Sequence, residues 1–321
     1  MLRLNRRAVL AGAALAPFAA KAQTGPATIR IVVPYPPGGS VDAIARLVQP
    51  GLQQRLGTTV IIENRTGASG SIGTDHVAKA TPDGSTWLFS FDNLVLNPFV
   101  LGKLPFDTET DLEPVYLLGK APYVVCTKAD KPYRSLADVI AAARERPGKI
   151  TYGTPGAGSL GHLAMTLLGK EAGVQIVHVP YRGAAPALND TLAGHVELFV
   201  GSIAVATPQI DAKAVRALAQ LGETRAPTLP EVPTARESGF AKIAADAWWG
   251  FFAPAGTPGA AIERFRAAVD AGLQDAALAK QITEGQGVTL VRAGPEKLRA
   301  FVQAQMALWG PVAREHDITA K

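Results

Sequence analysis

Three glycine-rich segments carry the residue types that hold an anion. PYPPGGSVD (34–42), TPGAGSLGHL (154–163) and VPYRGAAPAL (179–188) each follow a run of strand character and open a helical pattern. A glycine at such a junction lets the backbone approach a ligand closely, and the helix start offers unpaired N–H groups to negative charge. In the first segment Gly38 and Gly39 supply the close approach, and Ser40 and Asp42 are expected to cap the helix. In the second, Gly156, Ala157 and Gly158 are small, Thr154 and Ser159 bring hydroxyls, and His162 adjoins the loop. In the third, Arg182 is either a two-pronged carboxylate clamp or a solvated surface charge. A fourth loop, ENRTGASGSIG (63–73), reads as structural.

Other chemistries fit less well. Gly156, Gly158 and Gly161 match G-x-G-x-x-G, but a dinucleotide site also needs an acid about 20 residues on, at the end of the next strand. That region reads HVPYRG and has none. AGSLG resembles a nucleophile elbow with alanine for the first glycine, so an exported α/β serine hydrolase using Ser159 is the alternative reading. No histidine and acid partner stand out for it. The five histidines lack metal-type spacing, so neither a metal nor a cofactor is expected. Cys126, the only cysteine, sits in the apolar run YVVCT and reads as a buried hydrophobe. Of Trp248 and Trp249, one is expected in the core, leaving Trp248 to wall a cleft.

The elements that must position these loops alternate short β-type runs with helical patterns, the mark of an α/β fold. Strands are expected at 28–33, 59–63, 86–91, 123–127, 149–153, 175–179, 196–200, 215–221 and 247–253. Apolar residues at Val41, Ile44, Ala45, Val48, Leu52 and Leu56 keep helical spacing, and Pro50 within them predicts a bend or a shortened first part. Further helices are expected from Ser135, with Asp138 completing a near capping box, and around 259–273 and 295–315.

The 321 residues exceed a single core, and 47% hydrophobic with 18% charged residues excludes disorder and fibres. Aromatics are only 7%, which speaks against a base-stacking surface and hence against a nucleic-acid partner. The formal charge of +5 is concentrated at the start: Arg3, Arg6, Arg7 and Lys21 stand in 1–22, where there is no acid. Basic residues, an uncharged stretch over 8–20, and Ala20-Lys21-Ala22 read as a cleaved signal peptide with Gln23 as the mature start. The arginine pair suits either twin-arginine or Sec export. No later apolar run approaches 18 residues, so a soluble periplasmic protein is expected.

Taken together the segments resemble the substrate-binding receptors of tripartite tricarboxylate transporters, the Bordetella uptake (Bug) family. The resemblance runs through IRIVVPYPPGGSVDAIARL, IIENRTGASGSIGTDHVAKATPDGST, NPFVLGKLPFD, KITYGTPGAGSLGHLA, HVPYRGAAPAL, LPEVPTARESGF and FFAPAGTP, nearly the whole mature chain. It implies a type II periplasmic-binding-protein fold: two α/β domains, 23–123 plus 248–321 and 124–247, with a carboxylate in the cleft between them. It also implies a monomer that hands its ligand to membrane transporter subunits. The expected ligand-contacting set then extends to Tyr35 and Pro36 in the first loop, Tyr181 and Gly183 in the third, and Asn93, Ser202 and Trp248. One segment departs from the family pattern. Ser90-Phe91-Asp92-Asn93 stands where the family usually carries small or hydroxylated residues. An acid there repels a plain dianion, so either Asp92 turns away to cap backbone, or the ligand carries a cationic group.

Overall fold

The computed structural model describes residues 26–319, so the expected signal segment 1–22 lies outside the described residues. Strand β1 (Thr28–Val33) leads into α1 (Ser40–Leu56), then β2 (Thr59–Asn64), a 3₁₀ turn (Ala68–Gly70), α2 (Ser71–Ala78), β3 (Thr86–Ser90) and α3 (Asn93–Val100). The long strand β4 (Leu112–Lys128) follows. Beyond it come α4 (Leu136–Glu145), β5 (Thr151–Thr154), α5 (Leu160–Ala172), β6 (Val177–Pro180), α6 (Ala184–Ala193), β7 (Leu198–Ser202), α7 (Ile203–Asp211) and β8 (Val215–Gln220). The chain then returns through β9 (Asp246–Pro254), α8 (Gly259–Gly272), α9 (Ala276–Thr283), β10 (Thr289–Ala293) and α10 (Pro295–Glu315).

Hydrogen bonding orders the strands β2-β1-β3-β9-β4-β7-β5-β6, with β8 and β10 also paired to β4. β1 pairs parallel with β2 and β3, and β5 pairs parallel with β6 and β7, while β9 and β4 run antiparallel to their neighbours. β4 joins the two groups: residues 112–122 pair with β9, and 123–128 with β7 and β8. The chain passes back beside the same point. Tyr123 N–H donates to Ala245, Leu221 N–H to Tyr123, and Ala245 N–H to Leu221.

Two expectations need correction here. α1 is not shortened at Pro50 but runs on to Leu56, because the buried stripe of Val48, Leu52 and Leu56 continues on both sides and holds the helix despite one lost hydrogen bond. The cap also differs: Gly39 is the N-cap, and Ser40 begins the helix without capping it. Among the described residues no helix is long and apolar enough to cross a membrane.

Candidate functional site

The three glycine-rich loops of the sequence meet around one cavity of about 670 Å³, within the roughly 300–1,000 Å³ typical of small-molecule sites. Of the expected residues, Tyr35, Pro36, Gly39, Ser40, Asn93, Gly156, Ala157, Tyr181, Arg182, Gly183 and Ser202 line it. Phe91, Tyr123 and the loop 66–70 line it as well. That loop read as structural in the sequence, yet its glycine-rich form after a strand was the same signal that marked the other three.

Three of the helix starts at this cavity are bare. Gly39, Gly70 and Gly183, the N-caps of α1, α2 and α6, line the wall, and none of these helices has a side-chain cap. Two other starts at the wall are capped: Ser202 accepts from the Ala204 N–H on α7, and Asp92 caps α3 at Asn93. An uncapped first turn leaves N–H donors and the positive end of the helix dipole facing the cavity. Among the described residues, Arg182 is the only charged side chain in the wall. The arrangement suits an anion.

Other residues fix these loops from behind. Asp42 accepts from the Gly38 N–H at 3.0 Å, from Asn64 Nδ2 at 2.9 Å and from Arg46 Nε, tying the first loop down. Its arginine and amide partners outweigh burial and hold its carboxyl below the usual range. Gly70 leaves room for Tyr35, since a Cβ there would lie 2.9 Å from the tyrosine ring. Tyr35 packs edge-on against Phe91 with ring centroids 4.5 Å apart. Tyr181 donates its hydroxyl to Asp190 at 2.7 Å, which pins its ring. Gly158, at φ +71°, lets the 154–159 loop lie against Val100, which a Cβ would meet at 2.6 Å.

Gly38, Asp42, Asp92, Thr154, Gly158, Ser159, His162 and Trp248 stand outside the wall. Trp248 corrects the expectation that it walls the cleft: it is fully buried, packed on Phe252 and Phe301, because its face of β9 meets α10. Ser159 is buried with no hydrogen-bond partner for its hydroxyl, and His162 Nδ1 accepts instead from the Gly158 N–H at 3.1 Å. A nucleophile needs a base within hydrogen-bond reach and access to substrate. Ser159 has neither, so the hydrolase alternative is not supported.

His162 stacks on His178 with centroids 3.8 Å apart, and His178 Nε2 lies 2.7 Å from the Thr154 hydroxyl. Burial depresses both imidazoles, His162 to about 4 and His178, with His162 adding to the effect, to about 3. Below the ordinary value of 6.5 the unfolded chain therefore binds protons that the native pair refuses. Stability conferred by the neutral pair is complete above 6.5 and drains away as pH falls toward 3. A His162→Gln/His178→Gln variant is expected to show a flatter fall in melting temperature over that window. An unchanged slope would mean that the stack is not the acid-sensitive element.

A family model described as the tripartite tricarboxylate transporter family receptor matches residues 44–318. The chain belongs to that family. It is a periplasmic solute-binding receptor with the α/β fold of such proteins, and the family is one of receptors rather than enzymes. BugT of Bordetella pertussis is 35% identical to it, covering 92% of this chain and 91% of that one. The periplasmic binding protein BugD superposes with a TM-score of 0.85 at 31% identity, covering 92% and 99%. Rpa4515 of R. palustris, solved with adipate, gives 0.87 at 32% identity and covers 92% and 99%. MatC of Rhodopseudomonas palustris, with bound malate, gives 0.81 at 30% identity and covers 89% and 98%.

Proposed function

We propose that this receptor captures a small organic carboxylate in the cavity between the 34–42, 66–70, 154–159 and 180–186 loops. The observation that carries the reading is the set of bare helix starts at Gly39, Gly70 and Gly183, with Arg182 beside them. The carboxylates bound by two similar receptors, adipate and malate, agree with it. The domains are 23–123 plus 248–321 and 124–247, hinged where Tyr123, Leu221 and Ala245 lie side by side. Closure about that hinge buries the ligand, and the closed state gains whatever contacts the ligand makes to both halves. The basic start and the Ala20-Lys21-Ala22 site support export by a cleaved signal of Tat or Sec type. The exported protein acts as a monomer and hands its ligand to membrane transporter subunits.

A thermal-shift screen of organic acids tests this. A carboxylate at 100 times its Kd is expected to stabilise the fold by about 2.7 kcal/mol, with no product formed. The matching amides and alcohols lack the negative charge and are expected to leave the melting temperature unchanged. Equal stabilisation by acids and amides would sink the anion site.

A further inference from the structure

The inner wall of the cavity differs in character from its mouth. Asp92 Oδ2, Asn93 Oδ1 and the Tyr123 hydroxyl are all buried without a hydrogen-bond partner. Asn93 and Tyr123 line the cavity, and Asp92, buried between the wall residues Phe91 and Asn93 in the chain, is close enough to act on the Tyr123 phenol. The other oxygen of Asp92 caps α3, accepting from the Asn93 N–H at 3.0 Å. Only half of the carboxylate is therefore used by the fold. Beyond that N–H, the polar neighbour acting on it is the Tyr123 hydroxyl, which stands close by without a formed hydrogen bond, and no cation is among them. A carboxylate buried without a counter-charge is expensive to keep ionised. The mouth has the opposite polarity, with bare N–H groups and the exposed Arg182.

We propose that Asp92, acting through the Tyr123 hydroxyl, makes the inner wall a hydrogen-bond acceptor and selects a carboxylate that also carries an ammonium group. The inference rests on carboxylate capture in this cavity. A hydroxyl proton turns to suit its neighbours. Donated toward ionised Asp92, the Tyr123 proton leaves the phenol oxygen presenting lone pairs to the ligand. An ammonium N–H satisfies that oxygen, and its charge offsets the buried carboxylate behind it. A second ligand carboxylate would meet lone pairs and like charge at the same place. A ligand hydroxyl can donate but supplies no counter-charge. Asp92 is thus a positioning residue, and Tyr123 is the group that touches the ligand.

Calorimetry on the purified exported protein, with pairs matched in chain length, tests the assignment. The pairs are 4-aminobutyrate with succinate, 5-aminopentanoate with glutarate, 6-aminohexanoate with adipate, and glutamate with glutarate. In the best-fitting pair the ammonium-bearing member is expected to bind at least tenfold more tightly. Asp92→Asn keeps the size and a capping oxygen, and is expected to bring that ratio to one or below. Tyr123→Phe removes the phenol oxygen while leaving Asp92, and is expected to lose the preference as well. Melting curves confirm that each variant is folded. Tighter binding of the dicarboxylates by the wild type, or an order of preference unchanged in Asp92→Asn, overturns the inference and leaves carboxylate capture standing. Failure of every carboxylate to bind would overturn the capture site itself, and this inference with it.

Discussion

Without ligand at pH 8, Asp92→Asn is expected to melt several degrees above the wild type, and the gap is expected to close as pH falls to 4. Asp92 is 1% exposed, and burial pushes its carboxyl up to about 7 against the opposing pull of Tyr123 and the Asn93 N–H. An unfolded aspartate ionises near 3.8. Below that value both states are protonated and the native carboxyl costs nothing extra. As pH rises the unfolded chain ionises first, so stability drains between about 4 and 7, and above 7 the loss is complete. One pKa unit corresponds to about 1.36 kcal/mol, so the full effect is on the order of 4 kcal/mol. Asparagine caps a helix about as well as aspartate, so the variant sheds the charge and keeps the cap. The Tyr35 and Tyr123 hydroxyls, both raised by burial, stay protonated throughout and do not confuse the profile. A melting gap that is constant from pH 4 to 8 would show that Asp92 ionises as freely in the fold as outside it.

The same residue shows what the sequence could and could not convey. Its departure from the family pattern was visible, and so were the two uses for it, as a cap or as the facing partner of a cation. That one oxygen caps while the other is unpartnered depends on where Tyr123 falls, and Tyr123 lies within an apolar strand that reads as core. Strand–loop–helix junctions were legible because glycines and helix spacing are local signals. The first half of β4 was not, since Pro114, Gly119 and Pro122 read as breakers. Register shifts at 114/116 and 117/119 absorb the first two, and Gly119 is required because a Cβ would meet the Thr289 carbonyl at 2.7 Å. The 66–70 loop was under-read for another reason. Ala68 and Ser69 adopt positive φ of 45° and 52°, a geometry that neither residue type announces. Membership of a cavity wall is decided by which loops the sheet brings together, and periodicity is silent on that.

Gly39→Val is expected to cut carboxylate affinity roughly ten- to hundredfold while the protein stays folded. Gly39 is the N-cap of α1 at φ −77° and ψ 166°, an extended conformation that valine adopts without strain. The nearest atom to an added Cβ is the Pro36 carbonyl at 3.6 Å, an ordinary contact, so the fold has room for the substitution. Valine is a poorer N-cap than glycine, which costs on the order of 1 kcal/mol of stability. The ligand is affected more, because Gly39 lines the cavity and the new methyl groups stand where a carboxylate must reach the bare N–H donors of α1. Losing one hydrogen bond to a charged group costs roughly 1.5–3 kcal/mol, and each 1.4 kcal/mol is about a tenfold change in affinity. Gly38 is the control. It lies outside the wall at φ +83°, so Gly38→Val is expected to lower stability through backbone strain with a smaller effect on affinity. Calorimetry and circular dichroism on both variants separate the two effects. Full affinity in a folded Gly39→Val protein would move the carboxylate away from the start of α1.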